Sequence, residues 1–521
     1  MSPAEPPAVA ALRGLDCDLS GLTALVAGLG LSGFSAADAL LERGAAVTVV
    51  DDREPVDGSA AAERAHLLDV LGARLVLGGT ATAPADLLRS AGGTAAHPDL
   101  LVASPGWRPD HPVLLAAAGT GAVVWGEVEL AWRLQGGAEG PPWLTVTGTN
   151  GKTTTVELLG SVLRAAGLRA RTAGNIGTPL VDAVRDPAGA DVLAVELSSF
   201  QLHLVRTVSP HAATCLNLAP DHLDWHGGAQ AYRDAKARVY ERARVAAVYN
   251  AADPATEQMV RDADVVEGCR AVGFTTGAPR VGEVGAVEGL LVDRAFIEER
   301  DRAAAELGGL ADLVALAGVA GPEDVPAHVV ANALAAAALA RSLGVPATAV
   351  RDGLRSANMP PHRAATVAVL DGVRFVDDSK ATNPHAADAA LAALDDVVWV
   401  AGGLAKGATY DDLVRRHAGR LRAAVLLGAD RALVADALRR HAPEVPVVTV
   451  DPPDTGPVGA LDDDRARALM DRVVAAAADL ARPGSTVLLA PAAASMDQFS
   501  SYVARGEAFA AAVRRRAGSA G

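Results

Sequence analysis

The sequence predicts an α/β protein built on mostly parallel sheets, and two observations carry that expectation. Apolar, β-branched runs alternate with helical stretches along three successive segments, the pattern of strands joined by crossover helices. Glycine-rich turns also sit at two of the strand-to-helix junctions, GLGLSG from Gly28 and GTNGKTT from Gly148. At 521 residues, half of them apolar, the chain is long enough for about three domains, each with a core.

The first segment, residues 1–122, runs LTALVAG, GLGLSG, the helical FSAADALLERG and the strand VTVVDD, with LLVASPG further on. The second, residues 123–360, holds the strand LTVTG, the GTNGKTT loop and its helix, the strand DVLAVELSS and the polar cluster NLAPDHLDWHG. Its tail, about 282–326, is rich in Gly, Glu and Ala and reads as a hairpin plus loop. The third, residues 361–521, repeats short apolar runs between helices: VRFVDDS, VVWVAGG, AAVLLGA, VPVVTV and STVLLAPA.

Bulk properties exclude several classes. Lys and Arg number 47 against 62 Asp and Glu, a net charge of −15, which argues against a nucleic-acid partner. No polybasic run suggests a membrane surface. The most apolar helical stretch, VVANALAAAALA, is too short to span a bilayer. Cys17, Cys215 and Cys269 form neither a CxxC pair nor a metal spacing, and the amino terminus lacks a basic region leading into an apolar one. A cytoplasmic protein with free thiols is expected.

In GTNGKTT (Gly148, Thr149, Asn150, Gly151, Lys152, Thr153 and Thr154), glycines let successive N–H groups converge on phosphate oxygens. Lys152 can reach terminal phosphates and the Thr153 hydroxyl can ligate Mg²⁺. The strict P-loop pattern fails at Val146, but strand, loop and helix are all in place, which makes an ATP site. Glu196 ends the next apolar strand, where a carboxylate suits a hard cation beside phosphates. Asp221, His222, Asp224 and His226, with Lys236 downstream, fit helix capping and metal ligation equally well.

GLGLSG, trailed by Asp51, is the dinucleotide fingerprint in its proper context. The chemistry requires only a diphosphate against backbone, so a nucleoside-diphosphate substrate fits as well as NAD. In the third segment Lys380, Thr382, Asn383, Lys406 and Ser495 fall at strand ends. Lysines and hydroxyls there make an anion-binding rim, and a carboxylate substrate is its natural guest.

Taken in order, GLGLSG, ASPG, GTNGKTT, GNIG, ELSSFQL, DHLDWH, AKARVY, HRA, DDSKATNP, GGLAKG and ASMDQF resemble the Mur ligases of peptidoglycan synthesis over nearly the whole chain. The resemblance implies a Rossmann-like amino-terminal domain, a central P-loop ATPase-like domain and a Rossmann-like carboxy-terminal domain. It implies that Gly30, Leu31, Ser32, Asp52, Arg53, Ser104, Pro105, Gly106 and Asn175 bind a UDP-linked substrate, UDP-N-acetylmuramoyl-L-alanine. ATP would be held by the GTNGKTT loop with Asn332, Arg363 and Asp378, and D-glutamate by Thr382, Lys406, Ser495 and Tyr502. Two Mg²⁺ ions are implied, one on Thr153 and Glu196, the other on His222 and Lys236, the lysine as a carbamate. Lys152, His222 and Lys236 would be the catalytic set, and a monomer is expected. Leu404 and Thr409 replace acids found in some relatives around GGxxKG. Two rivals stand beside this reading. The nearer is a sibling ligase with another acceptor, of which a diamino-acid-adding one would be expected to carry a DNPR-type motif where this chain has DSKATNP. A dinucleotide-dependent oxidoreductase would explain GLGLSG and leave GTNGKTT unused.

Overall fold

The computed structural model describes residues 5–79, 97–357, 365–392, 394–451 and 461–519. It divides into two compact units: residues 1–218, 233–312 and 330–357 form one, and 219–232, 313–329 and 358–521 the other. Arg363 lies outside the described residues.

Two sheets occupy the first unit. β1 (Thr23–Ala27), β2 (Ala46–Asp51), β3 (Arg74–Leu77), β4 (Leu100–Ala103) and β5 (Val123–Gly126) form one in the order 3-2-1-4-5. All its pairings are parallel. The order reverses at β1, so the loops after β1 and β4 diverge and leave a crevice at the carboxyl ends. The sequence reading placed residues from 123 onward in the second segment, yet β5 pairs with β4 along this first sheet.

The second sheet runs β14-β13-β12-β11-β10-β9-β6-β8-β7. Its parallel part comprises β6 (Trp143–Thr147), β7 (Ala170–Gly174), β8 (Val192–Glu196), β9 (Ala212–Cys215), β10 (Ala246–Asn250) and β11 (Arg270–Phe274). β12 (Glu283–Val287), β13 (Leu290–Asp293) and β14 (Ala305–Gly309) continue it as an antiparallel meander. The tail read as a hairpin plus loop does contain a hairpin, β12–β13, and β14 adds a third strand that extends the sheet. Buried Asp293 anchors it through an ion pair with Arg341, 2.8 Å. One apolar cluster unites both sheets, with Leu40, Trp125, Trp132, Trp143 and Leu193 as members. Trp132 and Trp143 meet edge to face at 5.1 Å.

The second unit holds β15 (Ala365–Leu370), β16 (Val373–Asp377), β17 (Val397–Ala401), β18 (Leu421–Leu426), β19 (Val447–Thr449) and β20 (Thr486–Leu489), ordered 15-16-20-17-18-19. Only β15 is antiparallel to its neighbour. Successive residues of β17 bury on opposite faces, Trp399 in one cluster and Val398 and Val400 in the other, as a two-sided parallel sheet demands. Among the described residues no helix is long and apolar enough to cross a membrane.

Candidate active site

The GTNGKTT loop leaves β6, whose residues are all buried, and enters the helix Lys152–Ala165. Gly151 has φ +85°, and a Cβ there would stand 2.4 Å from Asn332 Oδ1, so glycine is required and Asn332 is placed against the loop. The helix has no side-chain cap, and the positive end of its dipole favours an anion at the loop. Two lysines converge on one carbonyl. Lys152 Nζ donates to the Gly148 and Thr149 carbonyls at 2.8 and 2.9 Å. Lys236 Nζ, buried, donates to the same Gly148 oxygen at 2.8 Å. Asn217 braces the loop from β9: its carbonyl accepts from Thr149 N–H at 3.1 Å, its Oδ1 from Asn150 N–H at 2.9 Å, and its Nδ2 donates back to the Asn150 carbonyl.

Glu196 closes β8 beside this loop, only 2% exposed. Its Oε1 accepts from Asn175 Nδ2 at 2.9 Å, while Oε2 is buried with no hydrogen-bond partner among the described residues. A buried carboxylate oxygen is costly without a partner. A hard cation answers that cost, and the Thr153 hydroxyl, at the first turn of the adjacent helix, is the usual co-ligand beside phosphates. The residues present therefore fit Mg²⁺.

On the first sheet, the helix Leu31–Glu42 starts at Gly30, again with no side-chain cap and with Leu31 exposed. A Cβ on Gly33 would lie 1.8 Å from the Gly28 carbonyl, so loop and helix meet at a distance only glycine allows. Ser104 Oγ, buried and without a hydrogen-bond partner among the described residues, would meet a Cβ on Gly28 at 2.6 Å. Asp51 is engaged by the loop itself: its Oδ2 accepts from Leu29 N–H at 2.8 Å and its Oδ1 from Arg53 N–H at 3.0 Å. Asp52 Oδ2 lies 3.0 Å from His111 Nε2, and Arg53 is exposed.

On the third sheet β16, β20 and β17 are parallel neighbours, so Asp378–Asn383, Ala490–Ser495 and Gly402–Gly407 leave from one edge. Tyr502 opens the last helix, and its hydroxyl lies 3.1 Å from Lys380 Nζ, which also sits 4.8 Å above the ring. Arg505, 1% exposed, ties two of the loops together by donating to Ser379 Oγ, the Ser379 carbonyl and the Ala493 carbonyl. Burial pulls its guanidinium down to about 10.

Residues 146–340 match the model of the Mur ligase middle domain, and 362–493 that of the Mur ligase glutamate ligase domain. The chain is 55% identical to the Streptomyces coelicolor protein named UDP-N-acetylmuramoylalanine--D-glutamate ligase, over 95% of this chain and 98% of that one. A Thermobifida fusca protein of the same name is 54% identical over 96% of this chain and all of its own. The chain belongs to the Mur ligase family. Solved Mur ligase folds agree at the level of architecture. UDP-N-acetylmuramate-alanine ligase MurC from Thermotoga maritima superposes with a TM-score of 0.54 at 18% identity, covering 96% of this chain and 100% of that one. A pseudomurein peptide ligase type C from Methanothermus fervidus gives 0.51 at 18% identity, covering 90% and 96%.

The site residues expected of a Mur ligase fall into three groups. Gly148 to Thr154, Asn175, Glu196, Lys236 and Asn332 gather on the second sheet, and Gly30 to Ser32, Asp52, Arg53 and Ser104 to Gly106 on the first. Asp378, Thr382, Lys406, Ser495 and Tyr502 belong to the second unit, as does His222. His222 stands at the cap position of the short helix Leu223–His226 with φ +52° and no side-chain cap bond, beside Asp221 at 3.6 Å. Asp221 in turn accepts from Asn383 Nδ2 at 3.3 Å. Sequence reasoning missed Asn217 and Arg505. An asparagine directly after a strand neighbouring the P-loop strand is a usable signal for the first, and nothing local marks the second.

Proposed function

We propose that this chain is an ATP-dependent ligase that joins D-glutamate to UDP-N-acetylmuramoyl-L-alanine, a cytoplasmic step of peptidoglycan precursor synthesis. The observation that carries the proposal is the likeness, over nearly the whole chain, to relatives that bear that name. The three sheets then read as three domains, the first running through β5 to about residue 126 instead of 122, the central one from there to about 360 and the last over 361–521: two Rossmann-like domains flanking a P-loop ATPase-like one. The dinucleotide alternative is disfavoured because it leaves the GTNGKTT loop and the buried Glu196 beside it without a role.

A carboxylate is a poor acyl donor. The L-alanine carboxylate oxygen attacks the γ-phosphorus of ATP, ADP leaves, and an acyl phosphate results. The D-glutamate amine then attacks the acyl carbon and loses a proton as inorganic phosphate departs. Lys152 and the uncapped helix N-terminus stabilise charge on the migrating phosphoryl group. Asn217 holds the backbone of Thr149 and Asn150 in place. Mg²⁺, when bound, neutralises the crowded phosphate oxygens. Thr153 and Glu196 would hold one ion, and Lys236, as a carbamate, would serve a second, which would account for a lysine buried at a metal site. The family resemblance gives His222 a ligand's duty as well. On the third sheet Thr382, Lys406, Ser495 and Tyr502 receive the carboxylates of D-glutamate, and Asn332, Arg363 and Asp378 the nucleotide.

The test is phosphate release from ATP with UDP-N-acetylmuramoyl-L-alanine, comparing D-glutamate, L-glutamate, L-lysine and meso-diaminopimelate. Release with D-glutamate alone is expected. Release with another acceptor would make the chain a sibling ligase, and none with any would return GLGLSG to a dinucleotide.

A further inference from the structure

The lysine of GGLAKG is exposed and left-handed. Lys406 has φ +49°, a conformation that non-glycine residues adopt only when neighbours hold them there. The holding group is identifiable. Asp430 occupies the cap position of the helix Arg431–His441, where an aspartate ordinarily accepts from its own helix's second or third N–H. Here it makes no side-chain cap bond. Its Oδ2 instead accepts from Ala405 N–H at 2.8 Å, and its own N–H donates to the Gly403 carbonyl at 3.0 Å. One residue thus grips the β17 loop at two points around Leu404. From the other side, Leu404 and Ala494 exchange both backbone hydrogen bonds, each 2.9 Å. Ala405 is buried, and the very next residue emerges into solvent as Lys406.

The geometry points to Asp430 as a positioning residue of the acceptor site: its grip on Gly403 and Ala405 fixes the left-handed Lys406 and so aims the ammonium at the acceptor's carboxylate. The helix forgoes a cap to do so. Asp430 touches no substrate and acts through Lys406, so its effect belongs to one substrate of the three. The inference rests on the D-glutamate ligase reading of the site.

The experiment compares Asp430→Ser and Asp430→Asn with the unaltered full-length enzyme. Serine is a good helix cap and too short to reach Ala405, so it keeps the helix while releasing the loop. Asparagine retains an acceptor oxygen of the same reach. Asp430→Ser is expected to raise KM for D-glutamate about tenfold, leaving KM for ATP and for the UDP-linked substrate within about twofold. Asp430→Asn is expected to behave nearly as the unaltered enzyme, and both variants to melt within a few degrees of it. Equal changes in all three KM values, an unchanged KM for D-glutamate in the serine variant, or equal damage in both variants would each overturn the positioning role. If the unaltered enzyme releases no phosphate with D-glutamate, the underlying reading has failed, and that outcome is distinct because it shows before any variant is made.

Discussion

Glu196 places a carboxylate oxygen with no partner among the described residues in a buried wall, an arrangement that favours a cation over a solvated turn. Glu196→Gln keeps the size of the side chain and the oxygen that accepts from Asn175, while removing the charge. The melting temperature is expected to hold or rise, since a buried charge has gone. Phosphate release should fall by about 100-fold or more. Turnover within about threefold of the unaltered enzyme would remove Glu196 from the cation site. Lys236 makes a separate prediction. If its buried amine serves as a carbamate, Lys236→Ala should be inactive, and added short carboxylic acids should restore part of the activity by supplying the lost oxygens. Near-normal turnover in that variant without any additive would exclude the role.

At the level of elements, what was legible in the sequence was whatever needs only neighbours in the chain. A strand, a glycine turn and a helix follow one another directly in GTNGKTT and in GLGLSG, so both loops announce themselves. Asn217 braces the first loop from 67 residues away, and Asp430 grips Ala405 from 25 residues away, pairings that only strand order creates. Asp51 was readable as the fingerprint acid, but its engagement with Leu29 depends on β2 lying beside β1. The contact of Gly33 with the Gly28 carbonyl gives this level its prediction. Gly33→Ala forces the glycine loop from the helix start, at a stability cost of about 1–3 kcal/mol. KM for the UDP-linked substrate should rise about tenfold while KM for ATP stays within about twofold. A variant with both KM values unchanged would mean that the loop does not carry the UDP moiety.

Over the whole molecule the three sheets were legible from strand and helix alternation, but the joining of the first two into one compact unit was not. Apolar residues that any core accepts, such as Trp125 and Trp132, pack in one cluster with Trp143 of the second sheet, and spacing alone does not say which sheet they serve. Within this unit, the helix Glu127–Leu134 buries two acids with opposite surroundings. Glu129 is fully partnered, accepting from the Arg206 and Thr207 N–H groups and from Arg133. Glu127 accepts from Val181 N–H at 2.7 Å through Oε1, while its Oε2 has no partner among the described residues. Burial pushes the Glu127 carboxyl up from 4.5 to about 7, with the Asp182 charge adding to the rise. Between those two values the folded chain keeps a proton that the unfolded chain has released. Stability from this group is therefore complete below about pH 4.5, falls as pH rises, and is gone above about 7, a total of about 3 kcal/mol. Glu127→Gln keeps an acceptor for Val181 and carries no charge at any pH. Its melting temperature should match that of the unaltered protein near pH 5 and exceed it by a few degrees at pH 8. The comparison is between variants at each pH, because an assembly of this size need not unfold in one step. A difference that does not change between pH 5 and 8 would mean that Glu127 is already ionised and partnered in the folded chain, and the joint between the two sheets would then be insensitive to protons in this range.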